Sequence, residues 1–147
     1  MKKQAALEAI IKARESHELQ MAKIEKLISG KSIDDPTSVS KTQCGFGKWL
    51  YNEENHMKEI LGSQFYEDLD FHHSKWHTEY FRLYNIFFKE EKKGLLSKFF
   101  GAPKVSDLEM DKAKLYYAEL KVTTANLLKA IAASERRLQA LNESKFF

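Results

Sequence analysis

The chain is short of the residues that staple or break a fold: its 147 residues include one cysteine, two prolines and six glycines. A single cysteine cannot close an internal disulfide, which excludes a disulfide-stapled scaffold and points to the reducing cytoplasm. Scarce glycine and proline argue against a turn-rich β fold and favour long helices. A long apolar run is missing as well. Glu8, Lys12, Arg14 and Glu15 interrupt the first stretch, so neither a signal peptide nor a membrane span is expected. Charge of one sign is also missing: 24 Lys and Arg against 21 Asp and Glu leave +3. The basic residues are interspersed with acids, which gives no footprint for a nucleic acid.

What is present is an ordinary globular composition, 43% hydrophobic and 31% charged, in a chain of the length of one domain, 1–147, with one core. Four helical segments emerge from the spacing of apolar residues. Residues 4–29 carry Leu7, Ile10, Ala13 or Arg14, His17, Met21, Ile24 and Leu27/Ile28 at three- and four-residue steps, with Gly30 as the stop. His17 falls inside this stripe. Residues 30–43 have turn chemistry around Asp34-Asp35-Pro36 and read as a loop. A short helix from Cys44 to about Asn52 carries Phe46, Trp49 and Leu50, with a further turn or two over 53–62.

A second long helix spans 64–93, up to the terminator Gly94. One face carries Phe65, Leu69, His73, Trp76, His77, Tyr80, Tyr84 and Phe87/Phe88; the other carries Glu67, Asp68, Glu79, Arg82 and Lys89. Residues 94–104 form a connector with an apolar stretch over 95–100. The last helix opens with a capping box, Ser106-Asp107-Leu108-Glu109, and runs to about Ser144. Its expected inner stripe is Leu108, Leu115/Tyr116, Leu120, Thr123, Leu127, Ile131, Leu138 and Leu141. The fold class expected is therefore all-α, an antiparallel four-helix-type bundle with one short helix. The wide aromatic stripe over 65–88 adds the expectation of a homodimer. The default role of the apolar pieces at 95–100 and 146–147 is packing or dimer contact.

The chemistry-bearing residues are few. Cys44 sits in Gln43-Cys44-Gly45-Phe46-Gly47-Lys48-Trp49-Leu50-Tyr51, and His72-His73-Ser74-Lys75-Trp76-His77 follows. His73 and His77 are one helical turn apart on one face, a spacing that suits two ligands on one ion. Three imidazoles and one thiolate suit tetrahedral zinc, and four protein ligands close the coordination sphere, as in structural or sensory sites. Read residue by residue, the bland alternative stands beside this: histidines on a helix face commonly serve as hydrogen-bonded core residues.

The combination is more specific than its parts. An early histidine, then Cys-x-Phe-Gly-x-Trp-Leu-Tyr, then His-x-x-x-His about thirty residues on, resembles the chemoreceptor zinc-binding (CZB) family, from His17 to His77. The resemblance implies a cytoplasmic helical bundle, typically homodimeric, that holds Zn2+ through three histidines and one cysteine and regulates chemoreceptor signalling regions or diguanylate cyclases. Carried onto this chain, the ligands are His17, Cys44, His73 and His77, with Phe46, Gly47, Trp49 and Trp76 supporting the site. His72 would form a five-residue step with His77 that splays the rings, and His56 has no ligand counterpart. Asp70, one turn before His73, is a possible orienter of a ring N–H, with solvated helix surface as its default role.

The chain shows no receptor hairpin and no cyclase region, so it resembles a free-standing member that acts in trans on a partner. Two sensing modes follow. Zinc availability sets occupancy, or an oxidant such as hypochlorous acid attacks Cys44 and releases the short helix. The rivals are a structural interaction bundle, a zinc hydrolase with an open three-histidine site, and a di-iron bundle. The di-iron pattern needs two Glu-x-x-His motifs, and only Glu53-Glu54-Asn55-His56 is present.

Overall fold

A computed structural model of the chain describes residues 1–88 and 105–147. Gly94, the end of the second long helix beyond Phe88, the 94–104 connector and its apolar stretch lie outside the described residues. The described residues are all-helical. They form α1 (Lys3–Ile28), α2 (Gly45–Leu50), α3 (Met57–Leu61), α4 (Ser63–Phe87) and α5 (Asp107–Ala140), with 3₁₀ turns at Glu53–Asn55 and Glu143–Lys145.

The ends are set by local chemistry. Gly30 adopts φ +83°, a left-handed conformation that glycine takes without a Cβ clash. At the start of α5 the Ser106 side chain accepts from the Glu109 amide, and the Glu109 carboxylate reaches back to the Ser106 amide. This is the reciprocal cap that the sequence announces.

Of the three long helices, α1 and α4 both pack against α5. Lys3 at the start of α1 donates to the Gln139 and Leu141 carbonyls at the end of α5. Further along, Arg14 pairs with Glu135, and Met21 Sδ meets Thr124 Oγ1. Along α4, Arg137 lies over the Phe65 ring, Trp76 Nε1 donates to Thr124 Oγ1 at 2.9 Å, and Arg82 pairs with Glu119 at 2.6 Å. Both sets of contacts descend α5 as they ascend its partner. α1 and α4 therefore each run antiparallel to α5 and parallel to one another.

Parallel neighbours need a return segment, and residues 29–62 provide it. The Thr37 carbonyl accepts from Tyr80 Oη, the Val39 carbonyl faces His77 Nδ1, and Lys41 Nζ reaches Ser74 Oγ and Asp70. The segment read from sequence as a loop is thus a strap laid along α4. On the other side Lys23 donates to the Asp35 carbonyl and Thr37 bonds Gln20, both from α1. Beyond the strap, α2 and α3 drop Phe46, Leu50, Met57, Ile60 and Leu61 into the core.

Two expectations on the long helices are corrected. Leu108 and Leu115 are not core residues: they are 66% and 60% exposed, and Val122 on the same outer face is 64% exposed. Leu120, Thr123, Leu127, Ile131 and Leu138 face inward as expected; Ala113, two positions and more than half a turn from Leu115, fills the inner place near the start of the helix. Glu79, expected on the solvated face of α4, is buried and its carboxylate accepts from the Thr123 hydroxyl of α5. A paired acceptor removes most of the cost of burying it. Each fully buried Leu or Ile contributes about 1.5–3 kcal/mol, and Ile10, Ile24, Leu69, Leu83, Leu120 and Leu127 are among those below 2% exposure.

Candidate metal centre

The centre lies where α1, α2 and α4 meet. His17 comes from the middle of α1 and is 3% exposed, a polar residue on a stripe that otherwise buries Ile10, Ala13 and Ile24. His73 and His77 come from α4, one turn apart, and are also buried. The three imidazoles each offer a nitrogen, and these nitrogens lie within 4.8 Å of one another. Cys44 is the residue before α2, and its Sγ lies 3.3 Å from His73 Nε2. It joins the cluster through His73 rather than sitting among all three nitrogens.

Each ring is held from behind. His17 Nδ1 is 2.8 Å from the Ala13 carbonyl, and His77 Nδ1 is 2.9 Å from the Val39 carbonyl. A carbonyl only accepts, so both Nδ1 atoms carry the proton and both Nε2 atoms present a lone pair. His73 Nδ1 lies 3.1 Å from Tyr51 Oη, and Tyr51 donates its own proton to Asp70 at 2.7 Å. His77 Nε2 is buried with no hydrogen-bond partner among the described residues. An unsatisfied buried lone pair costs about 1–3 kcal/mol, and a metal ion is one means of satisfying it.

The charge states fit a metal centre. Burial drives the His73 imidazole down to about 2, and His77 and His17 beside it add to the shift. Burial takes His77 down to about 4 against the opposing pull of the Val39 carbonyl. His17 is lowered by burial as well, with the Ala13 carbonyl working against the shift. All three are neutral near pH 7, the form that ligates. Burial pushes the Cys44 thiol up, partly offset by the Gly47 and Phe46 amides.

The donor set also fits zinc in size. Zinc bonds of about 2.0–2.1 Å to nitrogen and 2.3 Å to sulfur place the two atoms about 3.5 Å apart on a tetrahedron. The Cys44 Sγ to His73 Nε2 distance of 3.3 Å is close to that.

The supporting residues fall into two groups. Phe46 meets His73 edge-on at 4.7 Å and His17 at 5.8 Å, while Trp76 lies 5.1 Å from His17 and 5.0 Å from His77. These rings wall the cluster with apolar surface. Trp49 packs on Phe46, one layer further out, and its indole N–H points to Met1 Sδ. Gly47 works by size: a Cβ there would stand 1.6 Å from the Lys41 carbonyl oxygen. Its role is close packing of the strap on α2 and not backbone freedom, since neither Gly45 nor Gly47 has positive φ.

His72 points away and pairs with Asp68 at 3.3 Å, and His56 pairs with Glu59 and stacks on Phe147. Neither joins the cluster. Asp70 touches no histidine ring; it reaches His73 through Tyr51. Burial pushes its carboxyl up, but hydrogen bonds from Lys41, Tyr51 and Ser74 outweigh this and hold it below its ordinary value. Tyr51, Lys41, Val39 and Ala13 were not legible as site residues. Tyr51 lies within the quoted motif, but only the fold shows which way its hydroxyl points. A cavity of about 210 Å3, lined by Thr37, Ser38, Cys44, His17 and His77 among others, brings the edge of the cluster toward solvent beneath the strap.

Residues 17–84 match the family model of the chemoreceptor zinc-binding domain. The matched segment begins at His17 and takes in Cys44, His73 and His77. Neither curated proteins nor solved structures gave a match. Among the described residues, no helix is long and apolar enough to cross a membrane.

Proposed function

We propose, with the match to the chemoreceptor zinc-binding domain as premise, that this chain is a zinc-holding sensory bundle whose ligands are His17, Cys44, His73 and His77. The observation that carries the reading is the orientation of the three rings. Each gives Nδ1 to a partner outside the cluster and keeps Nε2 for its interior. A core histidine satisfied by the protein alone has no need of such an arrangement, and His77 Nε2 is left without a partner by it.

Bound zinc would supply the positive charge that holds sulfur as thiolate against the burial that now raises the thiol. Cys44 then serves two roles: it completes a four-donor set, which supports a regulatory rather than a hydrolytic centre, and it ties α2 to α4. A two-electron oxidant such as hypochlorous acid would convert the thiolate to a sulfenic acid with release of chloride. The cavity beside Cys44 supports access for so small a reagent. Loss of the sulfur ligand would free α2 and the strap while the long helices stay packed.

The remaining parts of the proposal rest on less of the site. The whole chain, 1–147, acts as one unit, because α5 covers both α1 and α4. Leu108, Leu115 and Val122, exposed at seven-residue intervals along α5, support a homodimer. The proposal extends to a chemoreceptor or diguanylate cyclase-type partner in the cytoplasm, for which the match to a chemoreceptor zinc-binding domain is the support.

The test is zinc content by mass spectrometry on untagged protein, wild type beside Cys44→Ala, before and after chelation. About one zinc per chain, weakened in the variant, is the expected result. Metal-free wild type whose folding ignores a chelator would reduce the histidines to core residues.

A further inference from the structure

The orientation of two rings in the cluster is explained by backbone carbonyls, but that of His73 is not. Its Nδ1 faces a phenol, which can donate or accept. The direction is decided one residue further out. Asp70 Oδ1 receives three hydrogen bonds: from Tyr51 Oη at 2.7 Å, from Lys41 Nζ at 2.9 Å and from Ser74 Oγ at 3.1 Å. A carboxylate only accepts, so the single Tyr51 proton is committed to it. Tyr51 Oη must then accept from His73 Nδ1, and the His73 lone pair is left on Nε2, 3.3 Å from Cys44 Sγ.

We infer that Tyr51 is a positioning residue that, with its proton claimed by Asp70, fixes the tautomer of His73 and so prepares Nε2 as a donor. The inference builds on the metal reading above but concerns a property of the metal-free chain. Lys41 adds a second link. Its ammonium holds Asp70, and its carbonyl lies 3.4 Å from Cys44 Sγ. The residue that pins the orienting carboxylate also borders the sulfur. The two ends of the centre, imidazole and thiol, are therefore set by one short network that runs from α4 through Tyr51 and back along the strap.

Removing Asp70 makes a sharp prediction. In Asp70→Ala the Tyr51 proton is released and can be donated to His73 Nδ1, which moves the ring proton to Nε2 and points it at sulfur. In Tyr51→Phe the ring keeps its packing but Nδ1 loses its acceptor. Long-range proton–nitrogen spectra of zinc-free protein read the tautomer directly. Wild type should show His73 protonated at Nδ1; Asp70→Ala should shift it to Nε2; Tyr51→Phe should show a mixture. The His17 signal, held by Ala13, should not move in either, which separates positioning from general loosening. Zinc affinity, measured by competition with a chromophoric chelator, should fall about 10–100-fold in each variant. The double variant should be no weaker than the worse single one, because the two act in series.

An unchanged His73 tautomer in both variants overturns the inference, as does zinc affinity within twofold of wild type. Asp70 and Lys41 have side chains 39% and 37% exposed, so Asp70→Ala remains a readable variant even if Tyr51→Phe folds poorly. Should wild type bind no zinc, the metal reading fails, and the tautomer spectra still decide the role of Tyr51.

Discussion

His73 Nε2 and Cys44 Sγ stand 3.3 Å apart although 29 positions separate the residues in the chain. The contact joins the centre of α4 to the residue that precedes α2. The Cys44 sulfur has a second duty there: it accepts from the Gly47 amide at 3.3 Å and so caps α2.

These two duties separate by substitution. Cys44→Ser keeps a cap acceptor but replaces the soft ligand; Cys44→Ala removes both. In zinc-free protein the serine variant should melt close to wild type, and the alanine variant should lose about 0.5–2 kcal/mol. With zinc added, wild type alone should rise strongly in scanning calorimetry. A serine variant that binds zinc as tightly as wild type would remove sulfur from the ligand set.

The two glycines of the motif should behave oppositely. A Cβ at Gly45 meets nothing within 4 Å, whereas one at Gly47 meets the Lys41 carbonyl oxygen at 1.6 Å. Gly45→Ala should be neutral or stabilising by up to about 1 kcal/mol through helix propensity. Gly47→Ala should destabilise despite the same propensity gain, because backbone must move, and should weaken zinc binding with it. Equal melting temperatures for the two variants would contradict the packing of strap on α2.

Zinc-free protein should be acid-labile. Unfolded histidine titrates near 6.5, while burial holds His73 down near 2 and His77 down near 4 in the folded chain. Between those limits the unfolded state binds more protons, so stability rises with pH and is lost as pH falls below about 6.5. Each such histidine contributes a slope of about 1.4 kcal/mol per pH unit. Denaturant titrations from pH 7 to pH 5 measure it. A flat profile would mean that the rings are hydrated.

The buried pair behind the site offers a control for the fold alone. Thr123→Val leaves the Glu79 carboxylate without its hydroxyl donor and should cost about 1–3 kcal/mol. Zinc stoichiometry should remain that of wild type. Loss of metal in this variant would mean that the site and the α4–α5 packing are not separable.

Helix positions were legible in the sequence where periodicity and caps agree: His17 within an apolar stripe, the His73 and His77 step, and the Ser106 box. Three things were not. Near the start of α5 the inward side depends on which neighbour covers it, so Ala113 is buried there and Leu108 and Leu115 are exposed, while Leu120, Thr123, Leu127, Ile131 and Leu138 follow the pattern. Glu79 reads as solvated because its partner, Thr123, is 44 positions away. Residues 30–43 carry turn chemistry and no period, and nothing local announces that their carbonyls dock on α4. The orienting groups of the site belong to that same category, since backbone carbonyls and a phenol have no spacing rule.

The strap keeps step with α4 over three contacts, Thr37 at Tyr80, Val39 at His77 and Lys41 at Ser74, and a turn over residues 41–43 then brings Cys44 to His73. The stretch from Thr37 to Cys44 is therefore a ruler, and its length, more than its composition, decides whether sulfur arrives at the imidazoles. One residue added before Asp35 should pass unnoticed, as insertions in surface loops do. One residue added between Val39 and Cys44 should carry the thiol past its partners while the long helices remain intact, making a protein with every ligand present and no centre.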